Sequence, residues 1–593
     1  MKFILITLVG FFIFGETRHS RFYRTFQCVN QKCRRTPVSA SSISFEELGV
    51  TDQHPSLEAC VLVCGKGSAL WPIPSGTYVT GSRYRAVHPK KFSFNLDVPG
   101  AANEFVFEAS NVFVQNLQQS CRHNCNMMTL KVEVNIKVFS SSLDHNWNTK
   151  EDYNLDVMAK EEQITVNIAA STAYGARHAL ETLSQLTATV NLNDGNRYLV
   201  MLDYAAIIDA PVFQHRGLLI DSARNFISVE NILKIVDGLA STKMNVLHWH
   251  ATDSQSFPLE IRSLPSMAIY GAYGPDKMYS VEDMTHVVNY ANSRGVRVIL
   301  ELDSPAHAGA GWEWGKSAGY GNLAVCVGKQ PWRDYCIQPP CGQLNPVNPN
   351  TYRVLRSIYK DLLDIWKHEN VIHLGGDELF INCWNSTSEI TDVMAERGMD
   401  RKVEDFLELW GNFHIAQLKI IDDLRRDGER SNIIIWSSRL TGLDTIERYL
   451  DKSRFVVQTW VESTSEMPFN LLNLGYKLII STKNAWYLDH GFWGRTKYHT
   501  WRDAYNNRLP RLDGVLGGEA CIWGEYIEDN SFDPRIWPRA AAVGERLWSD
   551  PSRMTTADAE PRLEAHRRRL EVHGIHTEAL APEWCAQNEG QCL

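Results

Sequence analysis

Two adjacent carboxylates, Asp377 and Glu378, end the apolar run Val371-Ile-His-Leu-Gly-Gly-Asp-Glu. Paired acids are what glycosidic cleavage needs. Neighbours at a strand end, however, point in different directions, so they cannot flank one anomeric carbon as nucleophile and acid. The pair suits the substrate-assisted variant, in which the substrate's own 2-acetamido oxygen attacks the anomeric carbon. One carboxyl must then protonate the leaving oxygen, and its neighbour must orient the acetamido N–H and stabilise the oxazolinium charge. Glu378 is expected to be the acid, and afterwards the base for water; Asp377 is expected to hold the acetamide.

Seven further apolar runs resemble the one that ends in this pair: Gly217-Leu-Leu-Ile-Asp, Asn245-Val-Leu-His-Trp-His, Val296-Arg-Val-Ile-Leu-Glu-Leu-Asp, Asn432-Ile-Ile-Ile-Trp, Phe455-Val-Val-Gln-Thr-Trp, Leu478-Ile-Ile-Ser-Thr and Val515-Leu-Gly-Gly-Glu-Ala-Cys-Ile-Trp. Continuous apolar runs suit parallel strands buried on both faces. Eight of them, each followed by a helical pattern, predict an α/β fold with a (β/α)8 barrel over residues 206–593. Polar or aromatic residues recur at or just past the run ends: Asp221, His248, His250, Asp253, Glu301, Asp303, His307, Trp436, Trp460, Tyr487, Asp489, Trp523 and Glu525. That end of a barrel is where its active site forms.

Ahead of the barrel, Lys131-Val-Glu-Val-Asn-Ile-Lys-Val-Phe alternates as a strand should, and the stretch from Ala173 to Leu186 has helical spacing. A small α+β domain is expected over 76–205, after a Cys-containing segment over 16–75. The uncharged run from Phe3 to Gly15 covers only about 20 Å as a helix, short of a bilayer core of roughly 30 Å. Residues 1–15 therefore read as a signal peptide, with an uncleaved signal anchor as the rival. Thirteen cysteines behind such a segment imply a secretory, oxidising compartment. The disulfide candidates are Cys28, Cys33, Cys60 and Cys64 near the start, Cys326, Cys336, Cys341 and Cys383 in the barrel, and Cys585 with Cys592 at the end. Cys521 is the expected free thiol, and Asn385-Ser-Thr is a glycosylation sequon. A formal charge of -9, from 60 basic and 69 acidic residues, gives no reason to expect nucleic acid as a partner.

Several motifs together resemble the family 20 β-N-acetylhexosaminidases: Arg216-Gly-Leu-Leu-Ile-Asp221, His248-Trp-His-Ala-Thr-Asp253, Glu301-Leu-Asp-Ser-Pro-Ala-His307, His373-Leu-Gly-Gly-Asp-Glu378 with Cys383-Trp384, and Trp523-Gly-Glu525. The resemblance implies that Arg216, Asp489 and Glu525 bind sugar hydroxyls. It further implies that Trp436, Trp460 and Trp523 wall an acetamide pocket and that Tyr487 donates to the acetamide oxygen. Asp253 and His307 would stand behind Glu378 and set its proton affinity. The implied substrate is a glycan ending in β-linked N-acetylglucosamine. No cofactor or metal is implied, and homodimers are common in the family.

Two segments, Tyr335-Cys-Ile-Gln-Pro-Pro-Cys-Gly-Gln-Leu-Asn-Pro and Ser481-Thr-Lys-Asn-Ala-Trp-Tyr-Leu-Asp-His-Gly-Phe-Trp-Gly, resemble the insect members, and in particular the fused lobes group that trims N-glycans. The sister group degrades chitin oligosaccharides and tends to carry Val-Glu where Ile337-Gln338 stand here. Trp501 is expected to stack on the sugar beyond the cleaved bond in either group. Two other classes compete. One is a sugar-binding protein with a dead site, which would be expected to lose the acid or its partner. The other is a metal-dependent amidohydrolase using His248 and His250, which lie on one strand face.

Overall fold

The computed structural model describes residues 24–36, 43–122, 124–192, 195–425, 428 and 430–592; the Phe3–Gly15 run lies outside them. Eight parallel strands close a barrel in chain order: His215–Asp221, Val246–Thr252, Arg297–Leu302, Val371–His373, Asn432–Trp436, Phe455–Thr459, Lys477–Ile480 and Val515–Ile522. We number them one to eight. Almost every residue in them is buried, as strands covered by helices outside and side chains inside must be. Helices follow each strand, among them Val229–Ser241, Val281–Ser293, Pro349–Ile365, Val403–Leu424 and Arg539–Trp548.

The α+β domain is an eight-stranded sheet with helices Ala102–Ser120 and Ala173–Gln185 packed on it. Its boundary differs from the expected residue 205. Strand Tyr204–Asp209 pairs with Tyr78–Thr80 and Tyr153–Ala159, so the domain runs to Asp209 and the barrel begins at His215. The first and last described segments also meet. The N-terminal sheet of Phe26–Val29, Lys32–Arg35 and Gln53–His54 bridges to the tail at Arg34 and Asn588, and Glu589 accepts the Cys33 N–H at 2.9 Å. The last residues of the expected barrel domain therefore brace the N-terminal segment.

All ten cysteine candidates are paired, as Cys28–Cys64, Cys33–Cys60, Cys326–Cys383, Cys336–Cys341 and Cys585–Cys592. Cys521 is free and buried. A sixth disulfide, Cys121–Cys125, was not anticipated: it closes a turn at a helix end, where nothing in the sequence marks a framework. Six disulfides fit an oxidising compartment. No helix of the described residues is long and apolar enough to cross a membrane.

The two domains meet at the barrel's N-terminal face through buried charge. Arg216 has no solvent exposure; its Nη1 lies 2.8 Å from Glu151 Oε2 and its Nη2 donates to Oε1 at 2.9 Å. Lys243 pairs with Asp209 at 2.9 Å and donates to the Tyr153 hydroxyl at 2.8 Å. The Trp147 ring packs under the barrel against Val246, Ile299, Val371, Ile434, Val456 and Ile479. Removing one partner of a buried pair strands the other. Glu151→Ala is accordingly expected to lower unfolding free energy by about 3–5 kcal/mol in chemical denaturation. An unchanged midpoint would show that this pair does not hold the domains together.

Candidate active site

Strand four stops at His373, five residues short of the apolar run's end. The cause is Gly375 and Gly376, with φ of +63° and +83°, which L side chains rarely adopt. Space demands glycine as well: a Cβ on Gly375 would lie 1.8 Å from Asp303 Oδ1. Asp303 accepts the Gly376 N–H at 3.0 Å, so the end of strand three clamps the turn after strand four. Asp377 and Glu378 leave this turn with different surroundings. Glu378 takes φ +47°, a sparsely populated conformation for a non-glycine residue, and its side chain is a quarter exposed. The Asp377 Oδ1 is buried and has no hydrogen-bond partner among the described residues. Burial, opposed by His307 and reinforced by Glu378, pushes the Asp377 carboxyl up to about 7.

Behind Glu378 stands the pair the sequence suggested. His307 Nε2 lies 3.3 Å from Glu378 Oε2, and His307 Nδ1 lies 3.2 Å from Asp253 Oδ1. Burial disfavours a charged His307, but Asp253 and Asp303 lift its pKa well above the ordinary histidine value. Asp253 is held well below the carboxylate range, against burial, by Arg224 and His307.

Trp436, Trp460, Trp523 and Tyr487 cluster with Leu219 and Cys521, and the Asp377 charge acts on Tyr487. The Trp436 indole donates to Glu301 at 2.8 Å and the Trp460 indole to the Ser437 carbonyl at 2.7 Å. Trp523 lies 5.9 Å from Trp436. Tyr487 follows strand seven and bridges to Cys521 on strand eight. Burial, helped by Cys521, Asp489 and Asp377, pushes its phenol well above the usual value, so it stays a hydrogen-bond donor. Asp489 accepts the Trp493 indole N–H at 2.9 Å, and burial pushes its carboxyl up to about 7. Glu525 Oε2 is buried without a partner among the described residues.

Two expected residues lie elsewhere. Arg216 cannot touch a sugar here, because it is the second residue of strand one, at the opposite face of the barrel, and is consumed by Glu151. The arginine at the site is Arg224, three residues past Asp221. It pairs with Asp221 at 3.2 Å and Asp253 at 2.8 Å, lies 5.1 Å from the Trp523 ring centroid, and keeps a buried Nε without a partner among the described residues. Its only sequence signal was an arginine just beyond an acid that ends a strand. Trp501 is the second correction. It begins helix Trp501–Asn506, is 5% exposed and packs in the main core against Tyr505, because that helix turns its first residue inward. Trp493, half-buried and bonded to Asp489, is the aromatic at the site that sequence reasoning passed over.

His248 and His250 do share a face, but each ring nitrogen meets a carboxylate: Glu519 and Glu301 at 2.9 Å each for His248, Glu301 at 2.7 Å and Asp253 at 3.0 Å for His250. That is the environment of an imidazolium, which has no lone pair for a metal. The clamp on the Asp377–Glu378 turn is testable. Gly375→Ala is expected to destabilise the protein by more than about 1 kcal/mol, measured as a lower unfolding midpoint; wild-type stability would mean the close approach of Asp303 is not required.

The profile of "Glycosyl hydrolase family 20, catalytic domain" matches residues 213–551, and "beta-acetyl hexosaminidase like" matches residues 70–186. The chain is 36% identical to a chitooligosaccharidolytic beta-N-acetylglucosaminidase of Ostrinia furnacalis, over 96% of this chain and 95% of that one. It is 34% identical to a probable beta-hexosaminidase fdl of Drosophila melanogaster, over 96% and 91%. Among solved structures, an exo beta-N-acetylglucosaminidase of Vibrio harveyi in complex with N-acetylglucosamine superposes with a TM-score of 0.69 at 19% identity, over 93% of this chain and 84% of that one; at that identity it supports the fold alone. A barrel with acids, an arginine and tryptophans gathered at its C-terminal face, matched by one family's catalytic-domain profile and preceded by a domain that a hexosaminidase-like profile matches, leaves one assignment: the chain belongs to glycosyl hydrolase family 20 and is a glycoside hydrolase.

Proposed function

We propose that this β-N-acetylhexosaminidase removes terminal β-linked N-acetylglucosamine from N-glycans by a retaining, substrate-assisted mechanism. The observation that supports the mechanism is the difference in surroundings within one dipeptide. Glu378 is partly exposed and backed by His307, while Asp377, itself only partly exposed, keeps one oxygen buried with no partner among the described residues. On this reading Glu378 reaches the leaving group. Asp377 is suited to an N–H donor and to a positive charge that forms during the reaction.

The steps follow. Arg224, Asp489 and Glu525 hold the hydroxyls of the terminal sugar; Trp436, Trp460 and Trp523 enclose its acetamide. Asp377 accepts the acetamido N–H and Tyr487 donates to the acetamide oxygen, which aims that oxygen at the anomeric carbon. Glu378 protonates the departing glycosidic oxygen as the C–O bond breaks and the oxazolinium ring closes. Glu378, now a carboxylate, takes a proton from water, which opens the ring from the same face and regenerates the β-anomer. His307 and Asp253 steady Glu378 through both changes of charge.

Substrate choice rests on the loop after strand three. Cys336–Cys341 closes a short turn within it, Cys326–Cys383 ties it to the segment that follows Glu378, and Gln255 donates to the Pro339 carbonyl at 3.2 Å. Ile337 is exposed and Gln338 half-buried on it. A neutral amide binds a sugar hydroxyl less strongly than a carboxylate does, which weakens a site for a second chitin sugar. Chitin oligosaccharides are the second reading, favoured by the name of the Ostrinia relative.

Release of N-acetylglucosamine from a biantennary N-glycan and from a chitin trimer separates the two. The N-glycan is expected to have the higher kcat/KM, and Glu378→Gln is expected to lower turnover on both by about 10²–10⁴. Preference for the trimer would transfer the enzyme to chitin turnover, and turnover surviving in Glu378→Gln would sink the acid assignment. The pH profile offers a second check. A carboxyl raised to about 7 is protonated below that pH, and Asp377 must be an anion to stabilise the oxazolinium. Activity is expected to fall as pH drops through this region, and Asp377→Asn to lose both that dependence and most of the rate.

A further inference from the structure

Glu301, on strand three, stands where two lines of contact cross. Its Oε1 accepts the Trp436 indole N–H at 2.8 Å. Its Oε2 lies 2.7 Å from His250 Nδ1 and 2.9 Å from His248 Nε2. From His250 the contacts run outward to the acid: Nε2 to Asp253 Oδ2 at 3.0 Å, Asp253 Oδ1 to His307 Nδ1 at 3.2 Å, His307 Nε2 to Glu378 Oε2 at 3.3 Å. From His248 they run inward: Nδ1 to Glu519 Oε2 at 2.9 Å, and Glu519 Oε1 to His215 Nε2 at 2.6 Å. Glu519, His248, Glu301, His250, Asp253, His307 and Glu378 thus alternate carboxylate and imidazole, and all but Glu378 are buried.

Neighbours fix the protons. An indole only donates, so the Trp147 N–H, 3.1 Å from His215 Nδ1, leaves His215 its hydrogen on Nε2, facing Glu519. The Gly375 N–H meets His373 Nδ1 at 2.9 Å and keeps His373 neutral, in keeping with a pKa lowered by burial. His250 faces carboxylates on both nitrogens, with Arg224 Nη1 also 3.2 Å from its Nε2; His248 Nδ1 faces Glu519, and its Nε2 lies 2.9 Å from Glu301 off hydrogen-bond alignment. Burial disfavours their charge, but Glu519 and Glu301 lift His248 to about 9, and Glu301 with Asp253 holds His250 well above its ordinary value. Asp303, Asp221 and Arg224 also face His250, and His215 and His373 also face His248.

We propose that Glu301 is a positioning residue for the hydrolysis: a single buried carboxylate that holds the acetamide wall through Trp436 and, through His250 and Asp253, holds His307 against the acid. The proposal rests on the reading of Glu378 as that acid. It couples recognition of the acetamide to the protonation of the leaving group, and no sugar-contacting residue has to do both.

Glu301→Gln isolates the coupling. The amide oxygen still accepts from Trp436, and the two amide hydrogens point at His250 Nδ1 and His248 Nε2, which must each give up a proton to accept them. One negative and two positive charges disappear, leaving the site one unit less positive. Carboxyl groups nearby then hold protons more tightly, so both limbs of the pH profile of kcat/KM are expected to move upward by about half a unit or more, with KM within about twofold of wild type. Glu301→Leu also deprives Trp436 of its acceptor, and KM is expected to rise at least about tenfold. A Glu301→Gln profile that is lower but unmoved would make Glu301 a packing residue and overturn the proposal, as would equal KM in the two variants. Glu301→Gln alone decides the matter if the leucine variant does not fold. Glu378→Gln, measured alongside, separates the two claims: if it is inactive while Glu301→Gln keeps wild-type limbs, only the role of Glu301 fails; if it stays active, the acid assignment itself fails.

Discussion

A charge inside a barrel has nowhere to go. Moving a carboxylate from water into a dry interior costs on the order of 20 kcal/mol before any pairing, so each acid in the core of this barrel must meet a cation or hold a proton. Glu519 and Glu301 meet imidazoles, and the imidazoles meet further acids. Alternation is the arrangement that leaves none of them alone. It runs from the floor, where Trp147 reaches in from the other domain, to the rim, where His307 touches Glu378. The interior of this barrel is therefore an ionic column with an apolar sheath, and Glu378, the proposed acid, is its last member.

The column explains features that local propensity leaves unaccounted for. Strand two carries His248 and His250 two residues apart, because side chains on one face recur with that period, and both must reach Glu301 on the neighbouring strand. Strand four is short because its continuation must turn sharply over Asp303, which only Gly375 allows. The α+β domain is joined by the same rule: Arg216, Lys243, Glu151 and Asp209 are buried together and each finds its partner across the junction. Domain packing and active-site assembly thus obey one electrostatic constraint at opposite ends of the barrel.

Much of this was legible in the sequence, for identifiable reasons. The eight strands announce themselves as apolar runs, since both their faces are covered. The Asp377–Glu378 pair, His307 and Asp253 sit at run ends, where barrels place their chemistry. Arg216 misled because its role was carried over from the family resemblance, and a motif does not show which face of the barrel its arginine serves. Arg224 was missed because its partners, Asp221 and Asp253, come from two different strands. Trp501 looked like a sugar platform because composition cannot tell an inward indole from an exposed one. The domain boundary slipped by a few residues because Tyr204–Asp209 is a strand of one domain lying just before the first strand of the other. The alternation through Glu301 and Glu519 was not visible at all: it joins residues more than two hundred positions apart, and only closure of the barrel brings them together.

Asp377 is the exception to the rule of pairing, and the exception has a use. Its buried oxygen has no partner among the described residues, and burial raises its proton affinity. The cations at hand are committed elsewhere, Arg224 to Asp221 and Asp253, His307 to Asp253 and Glu378. Had either been aimed at Asp377, its charge would be satisfied before the substrate arrived. On the proposed mechanism the cation that Asp377 lacks is the oxazolinium, which exists only once the glycosidic bond is breaking. An interaction made in the transition state and not before accelerates the reaction; one made equally in the ground state does not. The same pairing rule that builds the barrel, withheld at one carboxylate, becomes a source of catalysis.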